Sequence, residues 1–331
     1  MKAMIVDEPR PVGVNPLAAL ELPEPLPERG EVRLRVLACG VCHTDLHIAE
    51  GELPPIRRPI VPGHQIVGVV EEIGAGVNGV EVGDRMGVTW LGYTDNSCHY
   101  CLTGRENLCD NARFTGYHTN GGYAQQVVAN ADFLVPIPEA LSEIEAAPLL
   151  CAGIIGYRSL RLSEIRPRER LGLFGFGASA HLAIQVARHW GCEVYAFSRG
   201  EEHRQLALKL GAVWAGGAED EPPEELDAAI TFAPSGRLAL AALAKLRKGG
   251  TLAINAIHMS PIPEMNYELL YGERTLRSVT NLTRQDAREF LEVAAEIPVE
   301  AAVEVFAMQE ANEALRRLKE GEIEGAAVLI P

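Results

Sequence analysis

The run Arg170-Leu-Gly-Leu-Phe-Gly-Phe-Gly177 leads through Gly175-x-Gly177-x-x-Ala180 into the helical pattern His181-Leu-Ala-Ile-Gln-Val-Ala-Arg-His-Trp190, and then into Glu193-Val-Tyr-Ala-Phe197. Strand, glycine turn, helix and strand in that order form a βαβ unit, whose strands must be parallel because the helix covers the return. A GxGxxA alone is weak. Between a strand and a helix it is the dinucleotide fingerprint in its required context. Gly175 and Gly177 keep the turn tight and open to a pyrophosphate, the helix N-terminus stabilises its charge, and Ala180 is small where helix meets strand. Leu226 to Phe232, Leu238 to Leu246, Gly250 to Ala256 and Thr275 to Val279 continue as strand, helix, strand and strand. The expected class is therefore α/β with a doubly wound parallel sheet of at least four strands.

The end of the second strand bears on the cofactor. An acidic residue there would bind the adenosine ribose of NAD, whereas this chain has Phe197-Ser198-Arg199-Gly200. Ser198 and Arg199 can hold a 2′-phosphate, which favours NADP(H) over NAD(H). His203 and Arg204 are auxiliary cations or simply a polar helix start.

A chain of 331 residues exceeds one ordinary core, so two domains are expected. The first 150 residues read differently from the βα repeats. Glu31 to Leu37, Ile66 to Ile73, Val80 to Val88 and Ala124 to Asn130 read as strands punctuated by glycine, and Pro54, Pro55, Pro59 and Pro62 force extended chain up to His64. Helical patterns cover Leu46 to Gly51, Glu143 to Tyr157, Asp286 to Ala295 and Ala311 to Glu320, and Ala326 to Pro331 closes as a strand.

Between those strands lies Cys39-Gly-Val-Cys42-His43-Thr44-Asp45-Leu46-His47, a dense set of thiols, imidazoles, a hydroxyl and a carboxylate in a loop. Its CxxC alone is equally a redox pair. His64 in Gly63-His64-Gln65 and Cys151 in Leu149-Leu150-Cys151-Ala152-Gly153 supply a distant imidazole and a third thiol. A second cluster has the spacing Asp95-x2-Cys98-x2-Cys101-x7-Cys109. All four are zinc ligand types, so a structural zinc on a surface lobe is expected there. Seven cysteines form an odd set with no secretory signal, which argues for thiolate ligands over disulfides.

No run approaches 18 apolar residues, and the N-terminus reads as a strand without a signal-peptide core, so no membrane partner and a cytoplasmic location are expected. Charged groups number 45 acidic and 30 basic, a net −15 that disfavours nucleic acid.

In order and at similar spacing, Gly40-Val-Cys-His-Thr-Asp-Leu-His47, Pro62-Gly-His64, Gly83-Asp-Arg-Met86, Gly104-Arg-Glu-Asn-Leu-Cys109 and Gly121-Gly-Tyr-Ala124 resemble the zinc-dependent medium-chain alcohol dehydrogenases. The likeness covers the whole chain and is closest in its first 155 residues. It implies a GroES-like, β-rich catalytic zinc domain over 1–152 and 281–331, and a six-stranded Rossmann domain over 153–280. It implies a catalytic Zn²⁺ held by Cys42, His64 and Cys151, with a fourth position left for substrate oxygen. Thr44 would hydrogen-bond that oxygen, His47 would exchange its proton with solvent, and Asp45 would orient the His64 imidazole. His43 matches a position near the cofactor pyrophosphate, and Trp90 and Leu91 match residues lining the substrate pocket, though both also suit plain core.

The implied reaction is hydride transfer between NADP(H) and a small or slim apolar alcohol or aldehyde, in a homo-oligomer, dimer or tetramer. The alternatives are an NAD-dependent zinc alcohol or polyol dehydrogenase and a non-enzymatic relative that kept only the cofactor. Three departures from the family pattern stand out. Asp95 replaces a cysteine, Gln65 replaces the glutamate common after the zinc histidine, and Ala326 and Ala327 stand where many relatives have arginine; Arg284 in Asn281-Leu-Thr-Arg284 is the candidate to compensate.

Overall fold

The βαβ unit read from the sequence forms the middle of a six-stranded sheet. Its strand order is Trp214–Gly216, Glu193–Phe197, Arg170–Phe174, Leu226–Thr231, Leu246–Ile254, Thr275–Ser278, and every neighbouring pair is parallel. The first strand in the chain thus sits beside the fourth, and the order reverses between Arg170–Phe174 and Leu226–Thr231. That reversal is where doubly wound sheets bind dinucleotides, at the carboxyl ends of the strands. Phe174 and Phe197 stack across the first two strands with centroids 4.0 Å apart, both fully buried. The strand Trp214–Gly216 escaped the sequence reading because three residues carry no measurable period.

The computed structural model describes residues 1–297 and 299–331. Two compact units emerge, Met1–Cys151 with Asn281–Pro331, and Ala152–Thr280, which contains the six-stranded sheet. Among the described residues no helix is long and apolar enough to cross a membrane.

The first unit is built on a sheet in the order Val303–Ala307, Ala326–Ile330, Glu31–Gly40, Gln65–Ile73, Arg85–Val88, Leu134–Pro136, with Gln126–Asn130 paired to Glu31–Gly40. Helices Arg284–Glu296 and Ala311–Glu320 belong to the same unit. Its core joins Val32, Leu34, Ile66 and Val70 from the two long strands with Leu46 and Ile48. The strand expected from Val80 begins only at Arg85, because Gly83 takes φ +100° and Asp84 accepts from the Glu81 amide at 2.7 Å, closing a turn. The helix expected as one piece over 143–157 is broken: Glu143–Pro148 gives way to a wider π turn at Leu149–Gly153 before Ile154–Leu162. Pro148 has no N–H to continue the ladder, and π turns of this kind recur at functional positions.

The loop 115–123 lies against Pro62–His64 so closely that side chains are excluded. The Gly121 and Gly122 amides donate to Val61 and Gly63 at 2.7 and 2.9 Å, and a Cβ on Gly121 would lie 2.0 Å from the Gly63 oxygen. Gly121→Ala is therefore expected to push the chain at His64 and cost about 1–3 kcal/mol; a denaturant midpoint equal to that of the parent protein would refute this.

Candidate active site

The stretch read as a loop runs from the end of the strand Glu31–Gly40 into the start of a helix. His43–Glu50 is helical, capped at its N-terminus by Cys42, whose sulfur accepts from the Thr44 amide at 3.5 Å while Asp45 accepts from the Cys42 amide at 2.9 Å. This reciprocal capping box winds the helix three residues earlier than its apolar pattern suggests. Gly51 ends it in the left-handed conformation at φ +80°. The cap places Cys42, Thr44 and Asp45 on one turn, with Thr44 Oγ1 3.6 Å from Cys42 Sγ.

Asp45 is fully buried and is the hub of the site. Its Oδ2 accepts from the Cys42 amide and, at 3.4 Å, from the Tyr123 hydroxyl. Its Oδ1 accepts from the Gly63 amide at 3.0 Å and lies 3.2 Å from His64 Nδ1. One imidazole nitrogen of His64 is thereby fixed, while the other, Nε2, is buried with no hydrogen-bond partner. An orphaned buried nitrogen costs about 1–3 kcal/mol unless something satisfies it.

What surrounds it explains the orphan. Donor atoms of Cys42, His64 and Cys151 lie within 4.8 Å of one another, a cluster of the kind that holds a metal ion. Two thiols and an imidazole oriented from behind by a carboxylate fit Zn²⁺ with a position to spare. The Cys151 side chain hydrogen-bonds Cys42 and pushes the Cys42 thiol well down; the same bond, with burial, pushes Cys151 well up. Burial opposes charge on His64, but the Asp45 carboxylate and the Cys42 sulfur prevail and raise its pKa to about 10. Metal entry must therefore displace protons, so affinity should fall as pH falls.

His47, one turn further along the helix, is half-buried, and its Nδ1 pairs with the carboxylate of Glu52. His43 is exposed on the first turn. Cys39, the other thiol of the CxxC pair, is fully buried in the core. Trp90 and the His64 ring meet in a T-shaped contact with centroids 5.0 Å apart, and Trp90 stacks on Phe114 at 4.9 Å. Leu91, weighed as pocket or core, is 1% exposed.

The second cluster also assembles: Asp95, Cys98, Cys101 and Cys109 bring their ligand atoms within 4.8 Å. Asp95 Oδ1 lies 3.4 Å from Cys101 Sγ and accepts from the Ser97 and Cys98 amides at 2.9 Å. The Asn111 amide, donating to Oδ2, and those backbone groups hold the Asp95 carboxyl well below the usual range, so it stays an anion fit for a cation. Arg284, the candidate substitute cation, is committed elsewhere: it pairs with Glu106 and lies over the Phe133 ring at 4.7 Å.

In the other unit, Gly175 turns the chain at φ +87° and Gly177 caps the helix Ala178–His189. No atom lies within 4 Å of where a Gly177 Cβ would sit, and no side chain caps the helix's first amides. That open, amide-lined cradle fits a pyrophosphate. Ala180 is fully buried. Ser198 is nearly buried, its amide donating to Gly216 at 2.9 Å, and Arg199 is exposed beside it. Arg204 donates to the Ser198 and Arg199 carbonyls at 2.8 and 3.1 Å and pairs with Glu201, so it braces the strand end.

Sequence reasoning gave no role to Tyr123, Glu52, Phe114 or Tyr117. Tyr123 lay in the quoted Gly-Gly-Tyr-Ala segment, a signal that was present but unused.

Comparison with known proteins identifies the family. The alcohol dehydrogenase GroES-like domain matches residues 28–139, and the zinc-binding dehydrogenase domain matches residues 180–296. A relative from Mycobacterium tuberculosis (strain CDC 1551 / Oshkosh), named probable alcohol dehydrogenase AdhA, is 47% identical over 336 residues, covering 100% of this chain and 97% of its own. Among solved structures, a cinnamyl alcohol dehydrogenase from Sorghum bicolor superposes with TM-score 0.90 at 29% identity, covering 99% of this chain and 97% of that one. The cobalt and zinc bound thermostable alcohol dehydrogenase from Pyrobaculum aerophilum gives TM-score 0.89 at 26% identity, over 100% and 99% of the two chains. With the two domain matches and a 47% identical relative aligned along its full length, this protein belongs to the zinc-dependent medium-chain alcohol dehydrogenases.

Proposed function

We propose that this NAD(P)-dependent alcohol dehydrogenase works on small or slim apolar alcohols and aldehydes, prefers NADP(H), and carries its catalytic zinc on Cys42, His64 and Cys151. The observation that carries the reading is the His64 Nε2, without a hydrogen-bond partner, beside two thiols within 4.8 Å, one of which, Cys42, caps the helix turn that carries Thr44. Zinc there supplies a Lewis acid for the substrate oxygen, and the nicotinamide supplies or takes the hydride. Asp45 holds the His64 ring so that only Nε2 faces the cluster. Thr44, 5% exposed, orients the substrate hydroxyl and takes up its hydrogen bond. His47 exchanges the proton with solvent, its tautomer set by Glu52 at Nδ1. Trp90, in T-shaped contact with His64 and stacked on Phe114, puts an aromatic cluster beside the centre, which supports slim apolar substrates; the similarity to a cinnamyl alcohol dehydrogenase supports the same preference.

A structural zinc on Asp95, Cys98, Cys101 and Cys109 fixes the lobe without entering turnover. Ser198 and the exposed Arg199 support the NADP(H) preference, since a guanidinium pairs with a 2′-phosphate and has no counterpart to bind in NAD(H). His43 would approach the pyrophosphate by family likeness.

Initial rates of the metal-replete protein with an aldehyde panel, comparing NADPH with NADH and repeated after chelation, test this reading. The expected result is NADPH preference, two zinc ions per chain, and activity lost on chelation. Arg199→Ala should raise KM for NADPH about tenfold and leave NADH rates unchanged. A preference for NADH would sink the cofactor assignment, and turnover that survives complete zinc removal would sink the centre.

A further inference from the structure

Tyr117 belongs to none of the motifs above, yet it touches both sides of the candidate centre. Its ring lies against Trp90 with centroids 6.0 Å apart and planes at 24°. Trp90 in turn is stacked on Phe114 at 6° between planes and meets His64 edge-on at 73°. At its other end the Tyr117 hydroxyl donates to the Pro54 carbonyl at 2.7 Å.

Pro54 lies in the loop that leaves the site helix at Gly51 and carries Glu52, the partner of His47 Nδ1. Prolines 54, 55 and 59 remove half of the amides that segment 54–59 would otherwise offer. Among the described residues, the Tyr117 hydroxyl makes the one hydrogen bond joining that segment to the rest of the unit. Packing agrees: Tyr117, Ile48, Pro55 and Ile56 line a cavity of only about 10 Å³, room for one water at most. The Tyr117 loop is itself anchored beside the centre, since Gly116 takes φ +77° where a Cβ would lie 2.9 Å from the Gly63 amide nitrogen.

We infer that Tyr117 is a positioning residue that braces the aromatic wall beside His64 against the loop holding Glu52, so that one side chain sets the substrate side and the proton-exit side together. Its ring fixes the Trp90 face, and its hydroxyl fixes the loop from which Glu52 reaches His47. This rests on the proposed proton role of His47, and the two can be tested apart.

Tyr117→Phe deletes the hydroxyl and keeps the ring; Tyr117→Leu deletes both. Kinetics of the zinc-loaded enzymes with benzaldehyde and the preferred cofactor, in H₂O and D₂O, are paired with near-ultraviolet circular dichroism of the indole stack. Tyr117→Phe should keep the indole signal and a KM within about twofold, while kcat drops about threefold to tenfold with a larger solvent isotope effect. Tyr117→Leu should also lose the indole signal and raise KM about tenfold. If Tyr117→Phe matches the parent in kcat and isotope effect, or moves KM alone, the brace is overturned. His47→Gln separates the two readings. A silent His47→Gln removes the proton role and the brace together, whereas an impaired His47→Gln with a silent Tyr117→Phe overturns the brace alone.

Discussion

Asp45→Asn is expected to empty the catalytic metal position and destabilise the catalytic unit by about 3–5 kcal/mol. The Asp45 carboxylate faces the Cys42 amide, the Gly63 amide, the Tyr123 hydroxyl and His64 Nδ1, all of which serve as donors to it. An asparagine offers one acceptor oxygen and turns an NH₂ group against the remaining donors. The backbone amide on that side, of Cys42 or of Gly63, then loses its partner outright, at about 1–3 kcal/mol. His64 loses the anion that holds its ring, and loss of such a partner lowers metal affinity about 10- to 100-fold. Zinc per chain, the urea midpoint and kcat/KM should fall together. Tyr123→Phe is the milder control, removing only the 3.4 Å bond, with an expected cost of about 1 kcal/mol and zinc retained. Asp45→Asn protein that carries full zinc with kcat/KM within about twofold of the parent would show that the carboxylate is not the organising group.

The reach of that carboxylate shows what a sequence can and cannot disclose. The dinucleotide cradle was legible because its chemistry is contiguous: the strand, Gly175, Gly177 and the helix N-terminus follow one another within a few residues. The metal donors were legible through a resemblance that covers the chain, and the structure brings Cys42, His64 and Cys151 together from positions far apart in sequence. The partners of Asp45 come from residues 42, 63, 64 and 123, and no local periodicity predicts that convergence. Helix starts are usually signalled by serine, threonine, aspartate or asparagine, so a cysteine cap at residue 42 hid the first turn. The π turn carrying Cys151 was hidden likewise, since its residues fit a helical pattern.

The two misread turns that carry Cys42 and Cys151 lie where the centre is built, whereas the strands misread at Val80 and at Trp214–Gly216 lie outside it. A cysteine that caps a helix has its backbone held by Asp45, and a cysteine on a π turn sits on backbone displaced from the regular helix. Both departures place sulfur where regular structure would not, which is the pattern expected when local preference yields to a site.

Thr44→Val is expected to lower kcat about 10²- to 10⁴-fold while leaving zinc content and stability nearly unchanged. The substitution keeps the branched shape at a position 5% exposed and removes only the hydroxyl, which lies 3.6 Å from Cys42 Sγ. Helix propensity changes little between the two residues, and the capping bond uses the Thr44 amide, which valine retains. Any loss therefore reports the hydroxyl itself. If the hydroxyl acts when the substrate proton moves, kcat and kcat/KM fall by similar factors, whereas a ground-state contact would raise KM alone. Thr44→Ser, which restores the oxygen with a freer rotamer, should recover activity to within about tenfold. A valine variant with kcat within fivefold of the parent would move the proton-handling role away from this helix turn, to a water or to another group beside the metal.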